Sequence, residues 1–143
     1  MVIYLDTSAF LKLYLLEEGS DRVNEIVTAQ DEPLPVWHLL EAEFRNALRL
    51  QVFWKGLTPD QAEDLWYTFG RRRSAGLYFT PEVDWASLLD ACHRLGAETP
   101  RLGCRTLDIL HGACCLQLGI QTFVTFDQRQ SALAAHVGLN PLP

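Results

Sequence analysis

Residues 1–14 read MVIYLDTSAFLKLY and join an apolar run, an acid and a helical pattern. Val2 to Leu5 form an uninterrupted apolar run, which is typical of a short buried strand. Asp6 ends this strand, and residues 8–15 follow a helical spacing. Because Asp side chains bind nearby backbone N–H groups, Asp6 by itself can be read as a turn residue. A chemical role for Asp6 therefore depends on finding acids at matching places elsewhere.

Strand-like and helix-like segments alternate along the whole chain. Strands are predicted at residues 2–5, near 36–37, at 77–80, 122–126 and 139–142, and helices at 8–15, 20–29, 38–54, 59–73, 83–95, 106–118 and 128–136. Strands that are separated by helices connect through right-handed crossovers into a parallel sheet. We therefore expect an α/β fold over residues 1–143: a single domain whose central parallel sheet of four to five short strands is flanked by helices.

The composition favours one ordinary globular domain, since the 143 residues are 48% hydrophobic and 21% charged. No basic leader precedes the first strand and no long uncharged apolar stretch follows, which predicts a cytoplasmic protein without membrane contact. The four cysteines lack zinc-site spacing and are typical of packing in a reducing compartment. The net charge of −6 does not suggest a nucleic-acid binder. A bound divalent cation can nevertheless reverse the local field where a phosphate docks.

Two acids follow predicted strands at equivalent positions. Asp6 ends the first strand and Asp127 comes directly after the strand at 122–126. Functional sites of parallel sheets form at the carboxyl ends of their strands. These two carboxylates are therefore expected at the same edge of the sheet.

Two further acids are selected by helical geometry. In LLEAEFRNAL, Glu41 and Glu43 lie on nearly opposite faces, so at most one can face a common centre. Glu41 precedes Arg45 in the order that favours a solvent-facing pair, whereas Glu43 shares its face with apolar residues, which favours Glu43 for the site. In CRTLDILHGACC, Thr106 is predicted to cap a helix with Asp108 in its first turn.

Four carboxylates at one sheet edge would repel one another unless a cation lay among them. Ligand sets that contain only oxygen suit Mg²⁺ or Mn²⁺. Such ions activate water and neutralise charge on a phosphodiester, singly or in pairs. Asp6, Glu43, Asp108 and Asp127 therefore predict a site for one or two Mg²⁺ or Mn²⁺ ions and the hydrolysis of a phosphate ester.

Four stretches of the chain resemble, in order, the motifs of PIN-domain nucleases, most closely those of the VapC-type toxins. These stretches are YLDTSAFLKLYLLEEGS, LLEAEFRNAL, CRTLDILHGACCLQLG and FVTFDQRQSALAAHVGL. The resemblance spans residues 1–140 and assigns the four acids above as catalytic metal ligands. It implies a metal-dependent endoribonuclease that hydrolyses RNA phosphodiester bonds with a metal-activated water. It also implies a homodimer that is inhibited by a cognate small antitoxin protein.

Several polar residues are candidates for supporting roles. Thr125 stands two residues before Asp127 and is a candidate for a hydrogen bond to a ligand carboxylate, although Thr also favours strands for its own sake. Thr7 is a second candidate, although Thr7 and its neighbour Ser8 are read first as caps of the following helix. The candidates for RNA phosphate contacts are Lys12, Arg105 and Arg129.

Structural roles are predicted for the remaining polar and aromatic residues. Arg71, Arg72 and Arg73 are read as surface cations at a helix end. The four histidines, including His111, are read as packing or surface residues. The aromatic residues between Trp37 and Phe69 are read as core or as an interaction face.

The sequence leaves two alternative functions open and argues against a third. The first is a non-catalytic PIN-like module that binds RNA or protein, and the second is a solitary RNA-processing nuclease without an antitoxin. The third, a phosphatase with an Asp nucleophile, requires a second Asp two residues after the first, where this chain has Ser8.

Overall fold

A computed structural model describes residues 2–143 of the chain. The strands are β1 Ile3–Leu5, β2 Leu34–Pro35, β3 Tyr78–Phe79, β4 Thr122–Val124 and β5 Asn140–Leu142. The helices are α1 Thr7–Leu11, α2 Ser20–Thr28, α3 His38–Phe53, α4 Pro59–Ser74, α5 Trp85–Leu95, α6 Thr99–Leu102, α7 Thr106–Gln117 and α8 Gln128–His136, with a 3-10 turn at Gly96–Glu98. None of the helices in this range has the length and apolar character needed to cross a lipid bilayer.

The predicted α/β fold with parallel strands is confirmed, but the strands lie in two sheets. One sheet has the order β1-β4-β5 and the other pairs β2 with β3, all in parallel. The N–H groups of Leu34 and Val36 bind β3. Because N–H groups alternate in direction along a strand, Pro35 faces the opposite side, where β1 lies, and it has no N–H to donate. This missing donor explains why β2 packs beside β1 without extending its sheet.

Aromatic packing places α3 between α1 and α4. The inner face of α3 carries Leu40, Phe44 and Leu48, which are fully buried at a spacing of one helical turn. The Phe44 ring lies 5.1 Å from that of Phe10 in α1 and 5.3 Å from that of Phe69 in α4, measured between ring centroids. This packing holds α3 against α1, the helix that directly follows Asp6.

The N-cap was predicted correctly for α4 but not for α1 or α7. Thr58 caps α4 through the predicted Thr and Pro signature, and Gln61 completes a capping box. Asp6, and not Thr7 or Ser8, is the N-cap of α1, because its carboxylate accepts from the backbone N–H of Ala9. Arg105 occupies the N-cap position of α7 without a side-chain cap, so the predicted cap at Thr106 is wrong. Thr106 is instead the first helical residue, and Asp108 keeps its predicted place in the first turn.

The helix that follows β1 is shorter than predicted. Residues 8–15 were expected to be helical throughout, but α1 ends at Leu11 and the chain continues in turns. The short α6 and the 3-10 turn before it were not predicted, and this segment contains Gly96 and Pro100, two residue types that commonly interrupt a helical pattern.

The predicted pair between Glu41 and Arg45 is wrong, because both side chains reach across to α4. Glu41 accepts two hydrogen bonds from the Arg73 guanidinium, at 2.8 and 3.2 Å. Arg45 pairs with Glu63 at 2.8 Å. Ridge-to-groove packing of α3 on α4 makes these partners nearer than those along the helix. Arg73 is therefore a structural cation, and Glu41 points away from the predicted site.

Candidate active site

The ends of β1 and β4 lie side by side and bring two predicted acids to the same edge of the sheet. Leu5 is in register with Val124, and the backbone N–H of Asp6 continues the ladder with a bond of 3.1 Å to the Val124 carbonyl. Asp127 follows three residues after Val124 and begins α8. This arrangement follows directly from the parallel pairing of the two strands.

Asp6 is buried, with 2% of its surface exposed, and its carboxylate accepts three hydrogen bonds. One carboxylate oxygen, Oδ1, accepts from the Ser8 hydroxyl at 2.8 Å and from the Ala9 N–H at 2.9 Å. The other, Oδ2, accepts from the Thr125 hydroxyl at 2.5 Å. Burial still raises the pKa of Asp6 above its ordinary value, because these donors offset desolvation only in part.

Thr125 connects the two strand-end acids. Its Oγ1 donates to Asp6 and accepts the backbone N–H of Asp127 at 3.1 Å. The threonine is buried, and its hydroxyl both donates and accepts a hydrogen bond. Thr125 thus contacts the predicted ligand Asp6 and fixes its carboxylate relative to the start of α8.

Asp127 and Asp108 meet where α8 packs on α7. Asp127 Oδ1 caps α8 by accepting the N–H groups of Arg129 and Gln130, at 2.8 and 3.0 Å. The Gln130 side chain in turn donates to the backbone carbonyl of Asp108 at 2.9 Å. Partial burial and the negative charge of Asp127 raise the pKa of Asp108. These two carboxylates are therefore like charges held near each other.

Glu43 projects from α3 as predicted, but toward polar groups and not into an apolar pocket. Its Oε1 accepts from the Thr7 hydroxyl at 2.9 Å and from the His111 ring nitrogen Nε2 at 2.5 Å. Among residues 2–143, no donor reaches its second oxygen, Oε2. Burial raises the pKa of Glu43, but the bonds from His111 and Thr7 outweigh it and hold the pKa below its ordinary value.

His111 is the residue of this site that the sequence reading missed. It was read as packing or surface, and it is buried with 2% exposure, but both ring nitrogens are engaged: Nε2 with Glu43 and Nδ1 with the Tyr4 hydroxyl at 2.6 Å. A signal was available, because His111 follows Asp108 by three residues and so shares its face of α7. Similarly, Tyr4 precedes Asp6 by two residues and shares its face of β1.

The three cations proposed for RNA differ in their availability. Lys12 pairs with Glu17 at 3.1 Å, lies 4.7 Å from the centroid of the Phe126 ring, and keeps only 13% of its side chain exposed. Its ammonium group is thus already engaged within the chain. Arg105 and Arg129 are exposed beside Asp108 and Asp127, and neither forms an ion pair within residues 2–143.

The four acids have the donor chemistry for a hard cation, although they do not form a closed cage. Within the described part of the chain, no group of three or more His, Cys, Asp or Glu side chains is arranged to hold a metal ion. Glu43 offers an oxygen without a donor, and Asp108 and Asp127 are like charges whose repulsion a cation would relieve. The ligand atoms of these residues are therefore of the type that binds Mg²⁺ or Mn²⁺, although the four side chains are not gathered around one point.

Comparison with known proteins agrees with the fold described above. Residues 3–136 match the family model described as PIN domain. Among solved structures, the chain is similar to one in the crystal structure of FitAcB from Neisseria gonorrhoeae, with a TM-score of 0.64 and 15% identity, over 100% of this chain and 97% of that chain. At this identity the likeness is one of fold. No curated protein sequence matches the chain.

Proposed function

The chain belongs to the PIN-domain family, and from this premise we propose that it is a metal-dependent endoribonuclease of the VapC type. In this proposal the protein hydrolyses RNA phosphodiester bonds and is the toxin of a type II toxin–antitoxin pair. Asp6, Glu43, Asp108 and Asp127 are its catalytic metal ligands.

The observation that carries the proposal is the electrostatic state of the acids at the sheet edge. The pKa of Asp6 is raised by burial, and the pKa of Asp108 by burial and by the charge of Asp127. A buried or crowded carboxylate without a cation weakens the folded state. Acids with only a structural role would be expected to have basic partners, as Glu41 has in Arg73. A divalent cation is the partner that would offset the burial of Asp6 and the repulsion between Asp108 and Asp127.

Each residue has a defined task in this proposal. The four acids would hold one or two Mg²⁺ or Mn²⁺ ions, which would activate a water and neutralise charge on the phosphate. Thr125 holds the Asp6 carboxylate in place, and Thr7 holds that of Glu43.

RNA is proposed to reach the site past two exposed arginines. Arg105 and Arg129 flank Asp108 and Asp127 and are free of ion pairs within residues 2–143. They are suited to contact phosphates on either side of the scissile bond. Lys12 is assigned a structural part instead, because Glu17 and Phe126 already engage it.

A small antitoxin and a second copy of the chain are the proposed protein partners. Phe53, Trp54 and Tyr67 project from α3 and α4 with 78%, 61% and 68% of their surfaces exposed. Arg71 lies over the Tyr67 ring, 5.5 Å from its centroid. Exposed aromatic residues on neighbouring helices favour docking of an apolar helix face. A short reading frame for a DNA-binding antitoxin directly upstream of the gene would support the assignment as a toxin.

The proposal is tested by a matched pair of substitutions on one helix. Glu43→Gln and Glu41→Gln make the same change two residues apart, on faces that point to the site and to Arg73. We expect Glu43→Gln to lower RNA cleavage in Mg²⁺ at least about 100-fold, because it removes a charge from the metal site. Glu41→Gln should cleave RNA at the wild-type rate.

The cleavage rate of both variants is measured on a mixed panel of RNAs. EDTA provides the metal-free control, and circular dichroism checks that each variant is folded. Full activity of Glu43→Gln, or wild-type cleavage that persists in EDTA, would contradict the proposed mechanism.

A non-catalytic binding module is the second candidate, and one observation favours it. Within residues 2–143 the acids do not form a ready-made metal cage. In that case the protein would bind RNA in Mg²⁺ without cutting it, and Glu43→Gln would bind as tightly as the wild type. Gel-shift and cleavage assays on the same RNA separate the two candidates.

A further inference from the structure

A continuous chain of hydrogen bonds runs from the core to Glu43. The indole N–H of Trp37 donates to the Tyr4 hydroxyl oxygen at 2.7 Å. The Tyr4 hydroxyl lies 2.6 Å from His111 Nδ1, and His111 Nε2 lies 2.5 Å from Glu43 Oε1. Three separate elements contribute to this chain: β1, the start of α3, and α7.

The bonds at the two ends of the chain have fixed directions, because the indole can only donate and an ionised carboxylate can only accept. The ring nitrogen that contacts Glu43 is Nε2, so the ring proton is on Nε2, from which it is donated to Glu43. Nδ1 then faces the Tyr4 hydroxyl, whose oxygen accepts from Trp37 and whose hydrogen is within reach of Nδ1. A neutral imidazole in this one tautomer satisfies every polar group in the chain.

The surroundings hold this tautomer firmly. Tyr4 and Trp37 are fully buried, and the Tyr4 ring stacks on Phe123 with centroids 5.4 Å apart. His111 meets the edge of Trp37 at 89°, with ring centroids 6.1 Å apart.

The donors at Glu43 are distributed unequally between its two oxygens. The Thr7 hydroxyl and His111 both bind Oε1, whereas no donor within residues 2–143 reaches Oε2. Donors that served only to neutralise a half-buried carboxylate would be expected on both oxygens. A carboxylate that binds a metal through one oxygen is oriented by hydrogen bonds to its other oxygen. Glu43 has this arrangement, because Oε1 is anchored by hydrogen bonds and Oε2 is free of them.

We propose that His111 is a positioning residue for Glu43: Trp37 and Tyr4 fix its tautomer, and its Nε2–H anchors Oε1 so that Oε2 remains available to a divalent cation. This inference rests on the proposed function for the metal itself. The tautomer and the anchoring bond belong to the protein without metal and are measurable in that state.

Two substitutions of similar size separate positioning from packing. His111→Gln places an amide N–H near the position of Nε2 and keeps a donor for Glu43. His111→Asn places its amide near Nδ1 and does not reach Glu43. We expect His111→Asn to weaken Mn²⁺ binding about 10- to 100-fold, which is typical for loss of such an outer contact. The Mn²⁺ affinity of His111→Gln should be within about threefold of that of the wild type, which is a much smaller change than the one expected for His111→Asn.

Mn²⁺ affinity is measured by calorimetry with the metal alone, and ring ¹⁵N NMR of the metal-free wild type reports the tautomer of His111. Support for the proposal requires the Nε2–H tautomer, weak binding by His111→Asn and rescue by His111→Gln. An Nδ1–H tautomer overturns the hydrogen-bond chain. Equal Mn²⁺ affinity of His111→Asn and the wild type overturns the positioning role alone. A wild type that binds neither Mn²⁺ nor Mg²⁺ overturns the metal-dependent function together with this inference.

Discussion

Replacing Tyr4 with Phe removes one oxygen atom from the centre of the buried hydrogen-bond chain and changes nothing else in the side chain. The Trp37 N–H and His111 Nδ1 then both lose their partner in a region closed to water. A buried polar group without a partner costs about 1 to 3 kcal/mol. Two such groups give an expected loss of about 2 to 6 kcal/mol in the free energy of unfolding.

This loss is large for a domain of this size, because total stabilities are about 5 to 15 kcal/mol. The corresponding fall in Tm is about 6 to 18 °C, because each kcal/mol lowers the Tm of a domain of this length by roughly 3 °C. Urea unfolding followed by tryptophan fluorescence, together with a thermal scan by circular dichroism, measures both quantities. The metal-free protein is used, so the result does not depend on the proposed activity.

Tyr14→Phe is the matched control, since it makes the same chemical change at another hydrogen-bonded tyrosine. The Tyr14 hydroxyl lies 2.7 Å from that of Tyr78, and Tyr14 is only half-buried. Its removal should cost about 0.5 to 1.5 kcal/mol, the value of a single bond with nearby replacements. If Tyr4→Phe destabilises the protein no more than Tyr14→Phe does, the buried chain from Trp37 to His111 is wrong.

Two further predictions concern charge. Because burial raises the pKa of Asp6 in the folded state, the stability of the wild type falls as pH rises from the ordinary Asp value of about 4 through the raised folded pKa; without metal, Asp6→Asn should therefore gain stability relative to the wild type over that rise, and a difference in the free energy of unfolding in urea that stays constant with pH would count against this reasoning. Arg105→Gln and Arg129→Gln should each weaken RNA binding and reduce the slope of log affinity against log salt by about 0.7, with Mn²⁺ affinity unchanged; equal slopes in filter-binding assays would exclude the proposed phosphate contacts.

Local patterns were sufficient for most elements of the fold. The apolar run before Asp6, the periodicity of α3 and the Thr and Pro signature of α4 each act within a few residues, and each corresponds to an observed element. The split of the strands into two sheets was missed. It depends on which way the N of Pro35 faces relative to β1, and that is known only once the strands are paired.

The predicted cap of α1 was wrong for a related physical reason, whereas the predicted cap of α4 was confirmed. Asp6, Thr7 and Ser8 are all good capping residues, so composition alone does not rank them. The pairing of Asp6 with Val124 fixes where the strand ends, and this makes Asp6 the cap. Likewise, Glu41 and Arg45 are well spaced along α3, but packing against α4 offers both of them closer partners.

The sequence by itself determined the alternation of strands and helices and pointed to Asp6, Glu43, Asp108 and Asp127, because strand and helix periods assign side chains to faces over short distances. Only the tertiary structure decided which groups contact those acids. Thr125 meets Asp6 across 119 positions of sequence, and His111 meets Glu43 across 68. Contacts at such separations depend on how whole elements pack, and no local period encodes them.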